Sequence, residues 1–179
     1  MSISNYDGVI KAVAKGNVNA LELLYDDLSK TVFALAYSIL QNRELAEDVM
    51  QDTFIRVKLS AEAYQSRGKG RAWVLKIARN LSLNMLNKQK KEVALENVLA
   101  DAEARDNTEA LVENCLLLSA AMKILTRDER EIVLLHTHEG LLHREIARVT
   151  GKPVNTVKWI YSKALKKLSA QLDGVMKAE

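Results

Sequence analysis

The sequence has one cysteine, one proline and three histidines among 179 residues, and each scarcity excludes something. A single thiol, Cys115, allows no disulfide within the chain and suits a reducing, cytoplasmic compartment. In Cys-Leu-Leu-Leu it reads as a small buried apolar residue rather than a redox centre. One proline and seven glycines are too few turn residues for a β-rich fold, which reverses roughly every 8–12 residues. No apolar run approaches the ~20 residues of a membrane span. Residues 1–9 show no basic segment leading into an apolar one, so neither membrane insertion nor a signal peptide is expected. The three histidines, His136, His138 and His143, lie close together in sequence. A metal would need a fourth ligand, so surface or packing roles are expected and no metal. There is no glycine-rich phosphate cradle, no Gly-x-Ser-x-Gly, no His-Glu-x-x-His and no nucleophile with a suitable partner. The chain is therefore not expected to be an enzyme or to need a cofactor. A net charge of +3 excludes a strong basic field over the whole molecule.

What is abundant forms helices: Leu, Ala, Lys, Glu and Val predominate. Ser4 is placed to cap a first helix ending near Gly16, and Asn17 a second. The second is amphipathic over 20–40, with Leu24, Leu28, Phe33, Ala36, Tyr37 and Leu40 mostly at spacings of three and four. A third helix follows Asn42 over 43–63, its outer face crowded with Glu44, Glu47, Asp48, Gln51 and Asp52. The polar, glycine-containing stretch 64–70 (YQSRGKG) reads as a loop, and 71–91 as a fourth helix. The composition then shifts. From Glu92 to Glu113 seven acids face Arg105 alone, a net of −6 with no aromatic residue. Such a segment buries little and reads as a linker. Beyond it, Thr126 and Glu129 form a Thr-x-x-Glu capping box ahead of the apolar run 132–135. The expected fold is all-α: a helical domain over 1–91, an acidic linker over 92–115 and a helix-turn-helix domain over 116–179.

The helix-turn-helix rests on 142–149, then Thr150-Gly151-Lys152, then a helix from Pro153 to about Leu172. On a wheel of ~100° per residue, Val157, Tyr161, Ala164, Leu165, Leu168 and Leu172 form the packing stripe. Asn155, Thr156, Trp159, Ser162, Lys163, Lys166 and Lys167 lie opposite. Amide and hydroxyl groups address base edges, and lysines neutralise phosphates. The first turns of such a helix meet the bases, so Pro153, Asn155, Thr156 and Trp159 open the reading end. Lys158, Ser162, Lys163, Lys166 and Lys167 extend it along the backbone. The alternative is a solvated lysine face, against which Trp159 weighs, since a large aromatic opposite the packing stripe needs a partner.

The 71–91 helix has an inward stripe of Val74, Ile77, Ala78, Leu81 and Met85. Arg67, Lys69 and Arg71 lead into it; Trp73, Lys76, Arg79, Asn80, Asn84, Asn87 and Lys88 supply bases, amides and an aromatic. Melted DNA suits such a face, with cations tracking phosphates and an indole stacking on an unpaired base. Trp73 taken alone reads first as a core anchor.

Three stretches carry a resemblance: Glu44-Leu-Ala-Glu-Asp-Val-Met-Gln-Asp-Thr-Phe, Arg71-Ala-Trp-Val-Leu-Lys-Ile-Ala-Arg-Asn-Leu, and Glu145-Ile-Ala with Gly151-Lys-Pro-Val-Asn-Thr-Val-Lys. In this order, around an acidic spacer, they resemble the extracytoplasmic-function (ECF) sigma factors of bacterial RNA polymerase. The resemblance implies a factor that binds core RNA polymerase and directs initiation at −35 and −10 promoter DNA. Glu47, Asp48, Gln51, Asp52 and Phe54 would meet the polymerase clamp. The loop 64–70 would capture a flipped −10 base, the helix after it would read and melt the −10 region, and the helix-turn-helix would read duplex −35 DNA. The tether would lie in basic polymerase channels, and an anti-sigma factor is a candidate further partner. Two readings compete: a free-standing helix-turn-helix regulator, and a sigma-like adaptor that binds only polymerase. The chain departs from the family pattern at Gly70, where an aromatic is common, at Leu142, where Ser or Thr caps the helix, and at Trp159-Ile160, where Ser-Arg is common.

Overall fold

The computed structural model describes residues 3, 5–66, 68–96 and 124–176. Arg67, Cys115, most of the expected acidic linker and the side chain of Leu172 lie outside them. The described residues are helical with no strand, and the chain divides into two compact units.

In the first unit, α1 spans Tyr6–Ala14, α2 Val18–Leu40, α3 Arg43–Ser60 and α4 Gly70–Glu96. Asparagine caps the first three, its side-chain oxygen taking one of the amides that a helix start leaves unpaired. Asn17 accepts from Ala20 N at 3.2 Å and Asn42 from Leu45 N at 3.0 Å. The cap of α1 is Asn5, which accepts from Gly8 N at 2.9 Å, not Ser4, so the helix starts one residue later than its sequence suggests. Helix α3 stops at Ser60 rather than 63. Ala63 N and Tyr64 N turn back to the carbonyls of Ser60 and Ala61, a tightening that ends the α-helical ladder. Helix α4 begins at Gly70 and continues past Lys91 to Glu96.

The core of this unit takes Ile10 from α1, Leu24, Leu28, Val32 and Leu35 from α2, Val49 and Val57 from α3, and Val74, Leu75 and Ala78 from α4. A second cluster joins Ala36, Leu40, Ala46 and Val49 to Leu81, Met85 and Leu86. Leu75, outside the expected stripe, is fully buried.

The C-terminal helices are α5 (Arg127–Val133), a π-helical turn (Leu134–His138), α6 (His143–Thr150) and α7 (Val154–Met176). The capping box forms as expected: Thr126 N donates to Glu129 Oε2 at 2.8 Å, and Glu129 N to Thr126 Oγ1 at 3.4 Å. Gly151, at φ 72°, takes the left-handed turn between α6 and α7. Leu142 cannot cap α6 with a hydroxyl, yet half of the usual box survives, because its backbone N–H donates to Glu145 Oε2 at 2.8 Å. The inward stripe of α7 is rotated from the expected one. Val157, Ile160 and Ala164 are buried, while Leu165 is 40% exposed, because the stripe centres on Val157 and leaves Leu165 at its edge. No helix among the described residues is long and apolar enough to cross a membrane.

Candidate nucleic-acid interface

The loop between α3 and α4 is organised by a residue from α1. Asp7 is buried, and four donors converge on its two carboxylate oxygens. Tyr64 OH and Gly70 N reach Oδ1 at 2.7 and 2.8 Å. Ser66 Oγ and Gly68 N reach Oδ2 at 2.7 and 2.6 Å. Burial pushes this carboxyl's pKa up, but the bonds from Ser66, Tyr64, Gly68 and Gly70 outweigh it and hold the value at about 2. Helix α1 sits so close to the start of α4 that a Cβ on Gly70 would lie 2.7 Å from Tyr6 Cβ and 2.9 Å from the Tyr6 carbonyl carbon. The missing aromatic at position 70 thus has a local cause: there is no room for any side chain.

On α4, Trp73, Lys76, Asn80, Asn84 and Asn87 fall within an arc of roughly 80°. Lys76 and the three asparagines are exposed, as are Lys69 before them and Lys88 after. Arg71, Arg79 and Trp73 are half-buried. The Trp73 ring packs on Tyr64, centroids 4.7 Å apart and tilted 46°, so the indole is partly anchor and partly surface. Arg67 is outside the described residues. This face can offer cations to phosphates, amides to base edges and part of an indole to a base plane.

Helix α3 turns Asp48, Gln51 and Asp52 outward, with Glu47 half-buried and paired to Arg43 at 2.9 Å. Phe54, expected in this group, points inward: it is 5% exposed and packs on Tyr25 at 4.9 Å between centroids. Ile55 and Leu59, which the sequence reading missed, are exposed beside the acids. Their places four and eight residues after Gln51, along one helix face, were the available signal.

On α7, Asn155, Lys158, Trp159, Ser162, Lys163 and Lys166 are exposed, as is Pro153 just before it; Thr156 is half-buried. Trp159 is 62% exposed, with Lys163 Nζ 5.0 Å from its ring centroid, a cation–π contact that holds the indole outward. Lys167 differs from the other lysines. Its ammonium bonds buried Glu129 Oε2 at 2.7 Å, tying α7 to the start of α5. For Glu129, burial raises the carboxyl's pKa, but the bonds from Lys167 and Thr126 pull it below the ordinary value.

Behind α7, His136 and His143 stack at 4.3 Å between centroids, and both meet the edge of Tyr161. His136 Nδ1 lies 2.8 Å from the Leu141 carbonyl. Burial, then neighbouring His136 and Lys158, pushes the His143 pKa down, which suits packing as a neutral ring. Among the described residues no three His, Cys, Asp or Glu converge as metal ligands would.

Comparison with known proteins adds three findings. Family models for Sigma-70 region 2 and Sigma-70 region 4 match residues 24–92 and 115–168. The ECF RNA polymerase sigma factor SigW of Bacillus subtilis is 27% identical, over 91% of this chain and 94% of its own length. BldN of Streptomyces coelicolor, also an ECF sigma factor, is 30% identical over 92% of this chain and 64% of its own. Among solved structures, the sigma factor RpoE of Bartonella quintana, in complex with the anti-sigma factor NepR, shares the fold with a TM-score of 0.72. It is 22% identical over 87% of this chain and 98% of that one.

Proposed function

The chain belongs to the sigma-70 family as an ECF sigma factor, a promoter-recognising subunit of RNA polymerase, and from this premise we propose which surfaces do the work. The observation that carries the assignment is a pair of exposed faces, each mixing amides, cations and an indole, one in each matched region.

In the first region the 64–70 loop, with its Arg67 and Lys69, together with Arg71, Trp73, Lys76, Arg79, Asn80, Asn84, Asn87 and Lys88, engages the melted −10 strand. Asp48, Gln51 and Asp52, with Glu47 beside them, meet the polymerase clamp. Phe54 serves this surface from beneath, and Ile55 and Leu59 extend it. In the second region Asn155, Thr156 and Trp159 read duplex −35 bases from a helix that starts at Pro153. Lys158, Ser162, Lys163 and Lys166 hold the backbone, and Lys167 acts by fixing α7 on α5. The segment 92–115 links domains 1–91 and 116–179, and its net −6 suits a basic channel.

Unstacking a base costs a few kcal/mol, so contacts that form only with the opened strand drive melting, and this chain needs no nucleotide hydrolysis of its own. The factor acts in the cytoplasm, where polymerase is. An anti-sigma protein is a further partner we carry over from the RpoE complex.

The test is reconstitution with core polymerase and run-off transcription from genomic fragments. Discrete promoter-specific transcripts are expected. Operator binding by a homodimer without polymerase, or polymerase binding without transcripts, would replace the sigma assignment with a regulator or an adaptor respectively.

A further inference from the structure

Residues 65, 66, 68 and 69 are exposed, so the loop buries little of its own to define its shape. What it has is Asp7. All four donors on that carboxylate come from residues 64–70, between 57 and 63 positions further along the chain. They are shared two to each oxygen: a side-chain hydroxyl and a backbone amide on Oδ1, and the same on Oδ2. A carboxylate can accept all four; no neutral side chain of this size can. The support behind Asp7 is rigid. Ile10 and Val13 are buried, Tyr6 OH donates to Asp27 of α2, and the backbone of α1 presses on Gly70. The loop is therefore shaped before any DNA arrives, and Tyr64 is held with its ring against Trp73.

We propose that Asp7 is a positioning residue for −10 recognition: through Tyr64, Ser66, Gly68 and Gly70 it sets the loop in the shape that admits one unstacked promoter base and discriminates among bases. This rests on the assignment of the loop to base capture. Asp7 touches no DNA. It acts on the order already present in the free factor, so that binding need not organise the loop.

Asp7→Asn tests this with little change in size. It replaces one accepting oxygen with an N–H donor, so two of the four loop donors lose their partner. The probe is a promoter library with a randomised −10 element, transcribed by holoenzyme reconstituted from core polymerase and the full chain. Its readout is the ratio of transcripts among the four bases at each position. That ratio is independent of how much factor is folded, so a merely destabilised protein leaves it unchanged.

The expected result is a loss of about tenfold in preference at one −10 position, with the other positions and the −35 preference retained. Tyr64→Phe, which keeps the ring on Trp73 and deletes one donor, flattens the same position less. It gives the same readout if Asp7→Asn yields too little holoenzyme. Wild-type preferences in both variants would overturn the proposal. If Gln65→Ala in the loop flattens that position while Asp7→Asn and Tyr64→Phe do not, base capture stands and the role of Asp7 falls. If the wild-type holoenzyme shows no preference at any −10 position, base capture itself falls, and the proposal with it.

Discussion

Single residues here are decided by space and by hydrogen-bond capacity. Gly70 is the clearest case of space. Alanine there would meet Tyr6 Cβ at 2.7 Å and backbone at 2.9 Å, and backbone cannot swing aside as a side-chain tip can. Gly70→Ala should cost about 1–3 kcal/mol, read as a lower urea midpoint. An unchanged midpoint would mean that α1 moves freely away from α4. Asp7 is the case of capacity. Its folded-state pKa of about 2 lies below the ordinary 3.8, so the ionised form favours folding. That contribution is complete above the ordinary value and is lost as pH falls through the folded one. The wild type should shed about 2 kcal/mol of stability between roughly pH 4 and pH 2 that Asp7→Asn does not shed. Urea titrations of both proteins across that range check the difference.

Neither role could be read in the sequence. Asp7 looks like an acid in the first turn of a surface helix, and its partners lie more than fifty residues away, where no periodicity connects them. The burial of Phe54 was hidden for a related reason. Its neighbours in the acidic stretch point outward, but only the packing of α3 on α2 shows that the ring turns towards Tyr25.

At the scale of elements, local rules went further. The caps at Asn17 and Asn42, the Thr126–Glu129 box and the left-handed Gly151 are short-range chemistry, and each sits where its residue type predicts. The rotation of α7 about its axis was less legible, because Ile160 and Leu165 are both apolar and flank the same stripe. Burial chose Ile160. Lys167 belongs to this scale as well: it joins α7 to the capped start of α5. Lys167→Met should destabilise the C-terminal helices by about 1–3 kcal/mol by stranding the buried Glu129, seen as a lower melting temperature. Lys166→Met, one residue away and exposed, should change it by less than about 0.5 kcal/mol.

Equal effects of the two lysine changes would contradict the division of roles along α7. The reading face makes a second contrast. Asn155→Ala should relax −35 preference at one base pair by about 1–3 kcal/mol. Lys158→Ala should instead weaken binding to all −35 sequences alike and reduce the salt slope by about 1. Binding of holoenzyme to a panel of −35 variants at several salt concentrations separates the two.

For the whole molecule, the sequence already held the order of the parts: an acidic helix, a helix bearing amides, cations and an indole, an acid-rich segment and a helix-turn-helix. It also held a limit on their strength. A net charge of +3 over 179 residues gives the free chain little long-range attraction for DNA. Two weak readers gain selectivity when something larger holds both in register, because the second contact then forms at high effective concentration. The account therefore places promoter selectivity in the holoenzyme rather than in the chain. The direct measurement is the affinity of the free chain and of the reconstituted holoenzyme for one promoter and for a scrambled duplex, at the same salt. The account predicts that the free chain binds both duplexes weakly and alike, and that the holoenzyme prefers the promoter by at least about 10³-fold. A free chain that discriminates between the two duplexes as well as the holoenzyme does would contradict it.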